Sequence, residues 1–222
     1  MIKTINVEYT VINNLEKIKK FLNTLPKLFA CDFETASKFT LKEKENFKQL
    51  YDSSCDKFER ISLLQKIESN GLSHPSLSCI THLGIAYSED TSTIILCDTE
   101  EIRQYIYNWL ISVDSKQIWH NTLFDFKHIL YHTSKVPKNY VDTKLLAKCL
   151  LNNANNLKAK VGLKGLMGWK YGDWGLKKDE EGEVFTLETM YDEKKLQYTA
   201  TDPCATYSLY FDMMNEITKW KI

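Results

Sequence analysis

The fold of this chain is indicated most clearly by residues 28–35, which read Leu-Phe-Ala-Cys-Asp-Phe-Glu-Thr. The apolar residues at the start of this stretch predict a strand that runs into the protein interior. Asp32 and Glu34 follow two positions apart, and side chains at i and i+2 of a strand point to the same face. Two like charges at the end of a core strand are costly unless a cation lies between them. The stretch therefore predicts a divalent-metal site.

The length and composition suit a single α/β domain that covers 1–222. The chain has 29 Lys and Arg and 29 Asp and Glu, so its net charge is zero. Proteins that grip long duplex nucleic acid usually carry a basic excess, so a role at a short strand end fits better. Six cysteines are scattered without a C-x-x-C pair, which predicts reduced thiols in the cytoplasm. No segment has the length and apolar character of a membrane span, so no membrane partner is expected.

The spacing of apolar residues predicts a mixed central sheet flanked by helices. Strands are expected at 5–12, 27–34, 77–87, 93–97 and 117–120. Helices are expected at 14–25, 99–113, 122–131, 144–151, 163–167 and 192–220, with Pro203 interrupting the last one. Residues 38–74 have apolar residues at helical spacings and are interpreted as a helical insertion that ends at Asn70-Gly71.

Two further groups of polar residues follow apolar segments. In the first, Asn121 begins a helix and Asp125 lies about one turn later. A helix cap and a first-turn acid would account for both residues, yet apolar residues surround Asp125, and an acid there needs a reason. In the second, Tyr198 and Asp202 lie one helical turn apart and would face the same pocket. The alternative is a core tyrosine and an aspartate that caps a helix starting at Pro203.

Taken in order, these elements resemble the motifs of the DEDD superfamily of 3′–5′ exonucleases. The three motifs correspond to Asp32-x-Glu34, Asn121-x-x-Phe124-Asp125 and Tyr198-x-x-x-Asp202. The tyrosine indicates the DEDDy branch, because the DEDDh branch has a histidine where Gln197 stands here. The resemblance covers about residues 27–215 and is closest to the proofreading domain of phage-type family A DNA polymerases.

The resemblance implies a ribonuclease H-like, three-layer fold and phosphodiester hydrolysis with two Mg²⁺ or Mn²⁺ ions. Asp32 would bridge both ions, and Glu34 and Asp202 would complete the first site. Asp125 would hold the second ion through water, and Tyr198 would orient the attacking water. Carboxylate oxygens are hard ligands that suit these ions, and the sequence contains no Cys/His cluster for zinc.

The resemblance also implies a substrate. Thr35, Asn121 and Phe124 match positions that contact the terminal nucleotides in similar domains, although Phe124 is equally well interpreted as a core residue. The expected substrate is a single-stranded or frayed DNA 3′ end, with nucleoside 5′-monophosphates as products and a polymerase domain as a partner in the natural full-length chain. Lysines and aromatic residues alternate in 158–178, which predicts either a nucleic-acid contact or a solvated loop with its aromatic residues packed inward.

Two other functions are compatible with the same residues. A ribonuclease D-like enzyme that trims RNA 3′ ends shares all three motifs. A catalytically inactive nucleic-acid or protein-binding module is disfavoured, because all four acids are present. Two features depart from the family pattern: Ala36-Ser37-Lys38 stands where similar proteins have an apolar wedge, and Pro203 disfavours helical geometry at Asp202.

Overall fold

The computed structural model describes residues 7–67, 74–151, 161–172, 174 and 189–219. The strands are β1 (Glu8–Ile12), β2 (Leu28–Ser37), β3 (Ser78–Ala86), β4 (Thr91–Leu96), β5 (Lys116–Trp119) and β6 (Tyr140–Asp142). The helices are α1 (Leu15–Leu22), α2 (Leu41–Ser53), α3 (Lys57–Ile67), α4 (Glu100–Ser112), α5 (Thr122–Thr133), α6 (Thr143–Leu150), α7 (Leu163–Tyr171) and α8 (Glu193–Lys219).

The six strands form one mixed sheet in the order β1-β4-β3-β2-β5-β6. β3 is antiparallel to β2 and β4, whereas the β1–β4, β2–β5 and β5–β6 pairs are parallel. One face of the sheet buries apolar residues of α1, α4 and α5, such as Ile18, Ile106 and Ile129, and α8 covers the other face with Ala200 and Cys204. The predicted α/β fold, a mixed sheet between helical layers, is confirmed.

The alternation along β2 fixes the side on which its acids lie. Cys31 and Phe33 belong to the core beneath α4 and α5, whereas Ala30 belongs to the core beneath α8. Because strand residues alternate between faces, Asp32 and Glu34 lie on the α8 face. The same-face prediction from their spacing is therefore correct.

One predicted boundary differs from the structure, and one strand of the structure is not predicted. β2 does not end at the acids but continues to Ser37, with a shift in its register against β3 between Glu34 and Thr35. The sequence does not predict β6, because three residues are too short to show a period. The insertion contains two helices, α2 and α3, and its predicted end at Asn70-Gly71 lies outside the described residues.

Helix α8 runs unbroken through Pro203, so the prediction that this proline interrupts it is wrong. A proline has no N–H for the carbonyl four residues earlier, which here belongs to Thr199. That carbonyl lies against Gly84 of β3, where an added Cβ would be 2.5 Å from the Thr199 oxygen and 3.0 Å from Pro203 Cγ. The glycine thus lets the proline-containing turn of α8 lie directly on the sheet. The one-turn spacing of the third motif is retained.

The cysteines and the helices bear on two further expectations. All six cysteines are free thiols, with Cys31, Cys79, Cys97 and Cys204 buried and Cys55 and Cys149 exposed. None of the helices formed by the described residues combines the length and the apolar character that crossing a membrane requires.

Candidate active site

Asp32 and Glu34 lie side by side on β2, and Asp202 of α8 reaches them from the layer above. One carboxylate oxygen from each acid lies within 4.8 Å of those of the other two. Glu34 Oε1 is buried and has no hydrogen-bond partner in the part of the chain that the structure describes. Three acids held this closely, with one oxygen unsatisfied, fit a divalent cation that prefers oxygen ligands.

Asp125 reaches the same place from α5, along an open edge of β2. β5 pairs with β2 only over residues 28–30, so no strand of the described residues neighbours the next part of this edge. The Phe33 N–H donates to the Asp125 carboxylate at 3.2 Å. Asp125 is 1% exposed and lines the same cavity as the three acids above. The structure therefore brings all four predicted acids together.

These acids are poorly solvated and repel one another. Burial, followed by the charges of the three other acids, raises the pKa of Asp32 well above its ordinary value. Burial and the charges of Asp202 and Asp125 raise the pKa of Glu34 in the same way. Burial also raises the pKa of Asp202 to about 6, although a hydrogen bond from Trp174 opposes the shift. Divalent cations between the carboxylates would offset both the cost of burying these charges and their mutual repulsion.

Tyr198 lies one turn before Asp202, and its hydroxyl makes a hydrogen bond with that carboxylate. Burial, and after it the neighbouring carboxylates, raises the pKa of Tyr198 far above its ordinary value, so the phenol stays protonated. The indole N–H of Trp174 also donates to Asp202. Lys164 Nζ of α7 lies 4.7 Å from the centre of the Tyr198 ring and places a positive charge beside the site.

The acids line a cavity of about 320 Å³. Asn121 and Phe124, both predicted to contact nucleotides, also line it. Thr35 does not: it is 5% exposed, and its cross-strand partner Ile80 belongs to the core beneath α4 and α5. The physical reason is that Thr35 follows Glu34 by one residue and points to the opposite face of the sheet.

The aromatic residues of 158–178 do not share one environment. Trp169 is 76% exposed and Tyr171 is 4% exposed, whereas Trp174 is partly buried against Asp202. Lys170 is bound to Glu89 at 2.6 Å. Four of the predicted lysines, Lys158, Lys160, Lys177 and Lys178, lie outside the described residues. The described residues of this segment therefore fit neither a continuous nucleic-acid contact nor a solvated loop with all its aromatic residues packed inward.

Sequence reasoning misses two residues that shape the site. Gly84 is the cross-strand partner of Asp32, and its lack of a side chain admits α8. The only signal in the sequence is a glycine inside an apolar strand, which often marks a close backbone approach. Lys144 lines the cavity and donates from Nζ to Asn121 Oδ1 at 3.1 Å. Its only signal is its place at the start of the helix that the sequence predicts at 144–151.

No protein-family model and no curated protein matches the sequence. Solved structures match it by fold. The Aedes aegypti Nibbler EXO domain has a TM-score of 0.62 at 11% identity and covers 99% of this chain and 94% of its own. Escherichia coli RNase D, an exoribonuclease involved in structured RNA processing, has a TM-score of 0.59 at 14% identity, covering 96% of this chain and 47% of its own. Brucella melitensis NrnC with bound Mg²⁺ has a TM-score of 0.53 at 16% identity, covering 98% and 83%. The chain therefore has the fold of these structures, which agrees with the superfamily that its motifs indicate.

Proposed function

We propose that the chain is a metal-dependent 3′–5′ exonuclease that hydrolyses the terminal phosphodiester of a single-stranded 3′ end and releases nucleoside 5′-monophosphates. The observation that supports this most is the meeting of four acids from β2, α5 and α8 in one cavity, with a tyrosine hydrogen-bonded to one of them. The order and spacing of these residues in the sequence match the DEDDy motifs, which supports the proposal. We treat 1–222 as a single exonuclease domain on the same grounds.

We propose two divalent cations, Mg²⁺ or Mn²⁺, as cofactors. Asp32, Glu34 and Asp202 would hold one ion, and Asp32 with Asp125 would hold the second. When bound, such ions stabilise the charge on the attacking and leaving oxygens of a phosphodiester displacement. The unsatisfied oxygen of Glu34 and the raised carboxyl pKa values support this assignment, as does the Mg²⁺ bound to the NrnC structure.

The remaining residues bind and orient. Because the pKa of Tyr198 is raised, its hydroxyl is no base at neutral pH, and it would orient the attacking water by hydrogen bonding. Phe124 would stack on the terminal base and Asn121 would bind the terminal nucleotide. The cavity of about 320 Å³ is at the small end of ligand sites, which span about 300–1,000 Å³. A single nucleotide suits this volume and a duplex does not.

We propose RNA as the preferred substrate. Trypanosoma brucei RNase D in complex with RNA U12 has a TM-score of 0.56 at 14% identity, covering 92% of this chain and 62% of its own, and NrnC has been solved bound to pGG. The competing substrate is DNA, with the chain acting as the proofreading domain of a phage-type family A polymerase. Its support is the sequence resemblance, including His120-Asn121 and Val141-Asp142-Thr143. We place the enzyme in the cytoplasm, because four of its six cysteines are buried as free thiols.

Parallel digestion of matched RNA and DNA single strands, each labelled at the 5′ or the 3′ end, tests this function. With Mg²⁺ or Mn²⁺ we expect immediate release of the 3′ label as a mononucleotide, a ladder of shortening 5′-labelled products, and faster loss of RNA. EDTA should stop both reactions. Faster digestion of DNA would transfer the proposal to the proofreading alternative. No digestion of either strand would refute the enzyme and favour a binding module.

Site variants test the residues. Asp32→Ala and Asp202→Ala should each abolish cleavage while the circular dichroism spectrum stays unchanged, because each removes a metal ligand. Asp114→Ala, which changes an exposed acid before β5, is the matched control and should retain full activity. Mg²⁺-dependent cleavage retained by either site variant would reject the assignment.

A further inference from the structure

Asn121 occupies the N-cap position of α5 without capping that helix. Its backbone is left-handed, with φ 69° and ψ 55°, and its side chain makes no cap hydrogen bond. Asp142 accepts instead: from the Asn121 N–H at 3.1 Å, the Thr122 N–H at 2.9 Å and the Thr122 hydroxyl at 2.8 Å. Because a carboxylate from β6 does the capping, the Asn121 amide is left for another role.

The same carboxylate caps the next helix as well. Asp142 accepts from the Lys144 N–H at 2.8 Å and the Leu145 N–H at 3.3 Å. Burial alone would raise the pKa of Asp142, but these hydrogen bonds and those from α5 outweigh it and lower the pKa. The ionised carboxylate therefore joins the N-termini of α5 and α6. This junction places Lys144 next to Asn121.

Lys144 sets the orientation of the Asn121 amide. Its Nζ lies 3.1 Å from Asn121 Oδ1, and both side chains line the acidic cavity. An ammonium group can only donate hydrogen bonds, so Asn121 must turn its oxygen toward Lys144 and its Nδ2 away from it. Within the described ranges, no hydrogen bond uses the Nδ2 donors of Asn121.

We propose that Lys144 is a positioning residue: it holds Asn121 Oδ1 so that the Nδ2 donors face the cavity and bind an oxygen of the 3′-terminal nucleotide. The inference rests on the proposed nuclease function. Lys144 then acts through Asn121 and not as a separate phosphate-binding cation. This distinction is measurable, because a residue that acts only through a neighbour has no effect once that neighbour is gone.

Two single variants and their combination form the test. Lys144→Met keeps most of the aliphatic stem and removes the donor, so the amide is no longer held in one orientation. Asn121→Gly removes the amide and suits the left-handed backbone. Each should lower kcat/KM by about tenfold, the value of roughly one hydrogen bond, chiefly through a higher KM. The double variant should be no worse than Asn121→Gly alone.

Three further variants separate positioning from charge and from folding. Lys144→Arg retains a donor and should recover part of the loss. Lys148→Met removes the same charge from an exposed position one turn later on α6 and should behave as the wild type. Asn121→Asp keeps an oxygen for Lys144 but lacks the N–H donors, so it should lose at least as much as Asn121→Gly.

The measurement is steady-state digestion of a short 3′-labelled RNA at two salt concentrations, with thermal unfolding of every variant. A direct phosphate contact by Lys144 would make the losses of the two single variants multiply and would weaken the salt dependence; either result overturns the proposal. Wild-type activity in Lys144→Met overturns it too. If the wild type digests no strand, the proposed function fails and this inference fails with it, whereas multiplying losses in an active enzyme refute the positioning role alone.

Discussion

Replacing Gly84 with alanine should impair the candidate site without altering any residue that lines it. Gly84 pairs with Asp32 across β2 and β3 and lies beneath the Thr199 carbonyl, which Pro203 leaves without a helical partner. An added Cβ would be 2.5 Å from that oxygen, and such contacts essentially never fall below 3.0 Å. Helix α8 and the sheet must then separate by at least the 0.5 Å between these two distances.

Gly84→Ala should lower both the stability of the protein and its activity. Overpacking a core costs about 1–3 kcal/mol, and alanine regains about 0.5–1 kcal/mol over glycine inside a strand. The free energy of unfolding should therefore fall by up to about 2.5 kcal/mol. Tyr198 and Asp202 flank Thr199 on α8, so they move away from Asp32 with the helix. Since a misplacement of 1 Å costs about 100-fold in rate, we expect a loss of about tenfold to 100-fold in kcat.

Urea unfolding and Mg²⁺-dependent digestion of labelled RNA measure these two effects. The matched control is Gly168→Ala on α7, where an added Cβ would meet no atom of the described residues within 4 Å outside the surrounding helix turn. This control should keep its activity and gain up to about 1 kcal/mol of stability from helix propensity. If the Gly84 variant were as stable and as active as the Gly168 variant, close packing of α8 on the sheet would not be what positions the site.

Three further changes have defined outcomes. In EDTA the free energy of unfolding should fall by about 2 kcal/mol as the pH rises from about 4 to about 6. The folded-state pKa of Asp202 is raised from 3.8 to about 6, so the folded state binds more protons than the unfolded state in this range. Urea unfolding at both pH values measures this fall, which saturating Mg²⁺ should reduce; a rise with pH would contradict it. Asp142→Asn should lower the free energy of unfolding, measured by thermal unfolding, by about 1–3 kcal/mol, because this one carboxylate caps two helices. Asp56 caps only the exposed helix α3, so Asp56→Asn is the control. An Asp142→Asn cost no larger than that of the control would refute the shared cap. Tyr198→Phe should lower kcat about 100-fold and leave the Mg²⁺ concentration for half-maximal rate unchanged. A large shift in that concentration would show that the hydroxyl acts on the metal site instead.

The acids could be predicted from local sequence, because side-chain directions repeat regularly along a strand and along a helix. Asp32 and Glu34 share a face since a strand alternates with period two, and Tyr198 and Asp202 share one since a helix repeats in about four residues. The apolar residues before Asp32 and around Asp125 distinguish these acids from surface acids. Local sequence is therefore sufficient to identify the candidate ligands, and the motif order indicates that they meet.

Features that depend on contacts between distant segments could not be predicted. The local rule that proline ends a helix fails at Pro203, because α8 is held on the sheet by packing that Gly84 permits. Thr35 follows the motif pattern, yet the alternation of β2 directs it into the core. Lys144 lies in the cavity only because Asp142 joins two helix starts.

The placement of Asp125 depends on where β5 ends. β5 stops at Trp119, and Asn121 then turns the chain in a left-handed conformation into α5. A longer β5 would pair with β2 beyond Ala30 and would occupy the Phe33 N–H that now binds Asp125. Asn121 is thus part of the turn that leaves the edge of β2 open for Asp125, in addition to its proposed role in binding the nucleotide. Substitutions that favour an extended backbone at Asn121 should for this reason displace Asp125 as well as remove an amide, which is why the kinetic test of Lys144 uses glycine at this position.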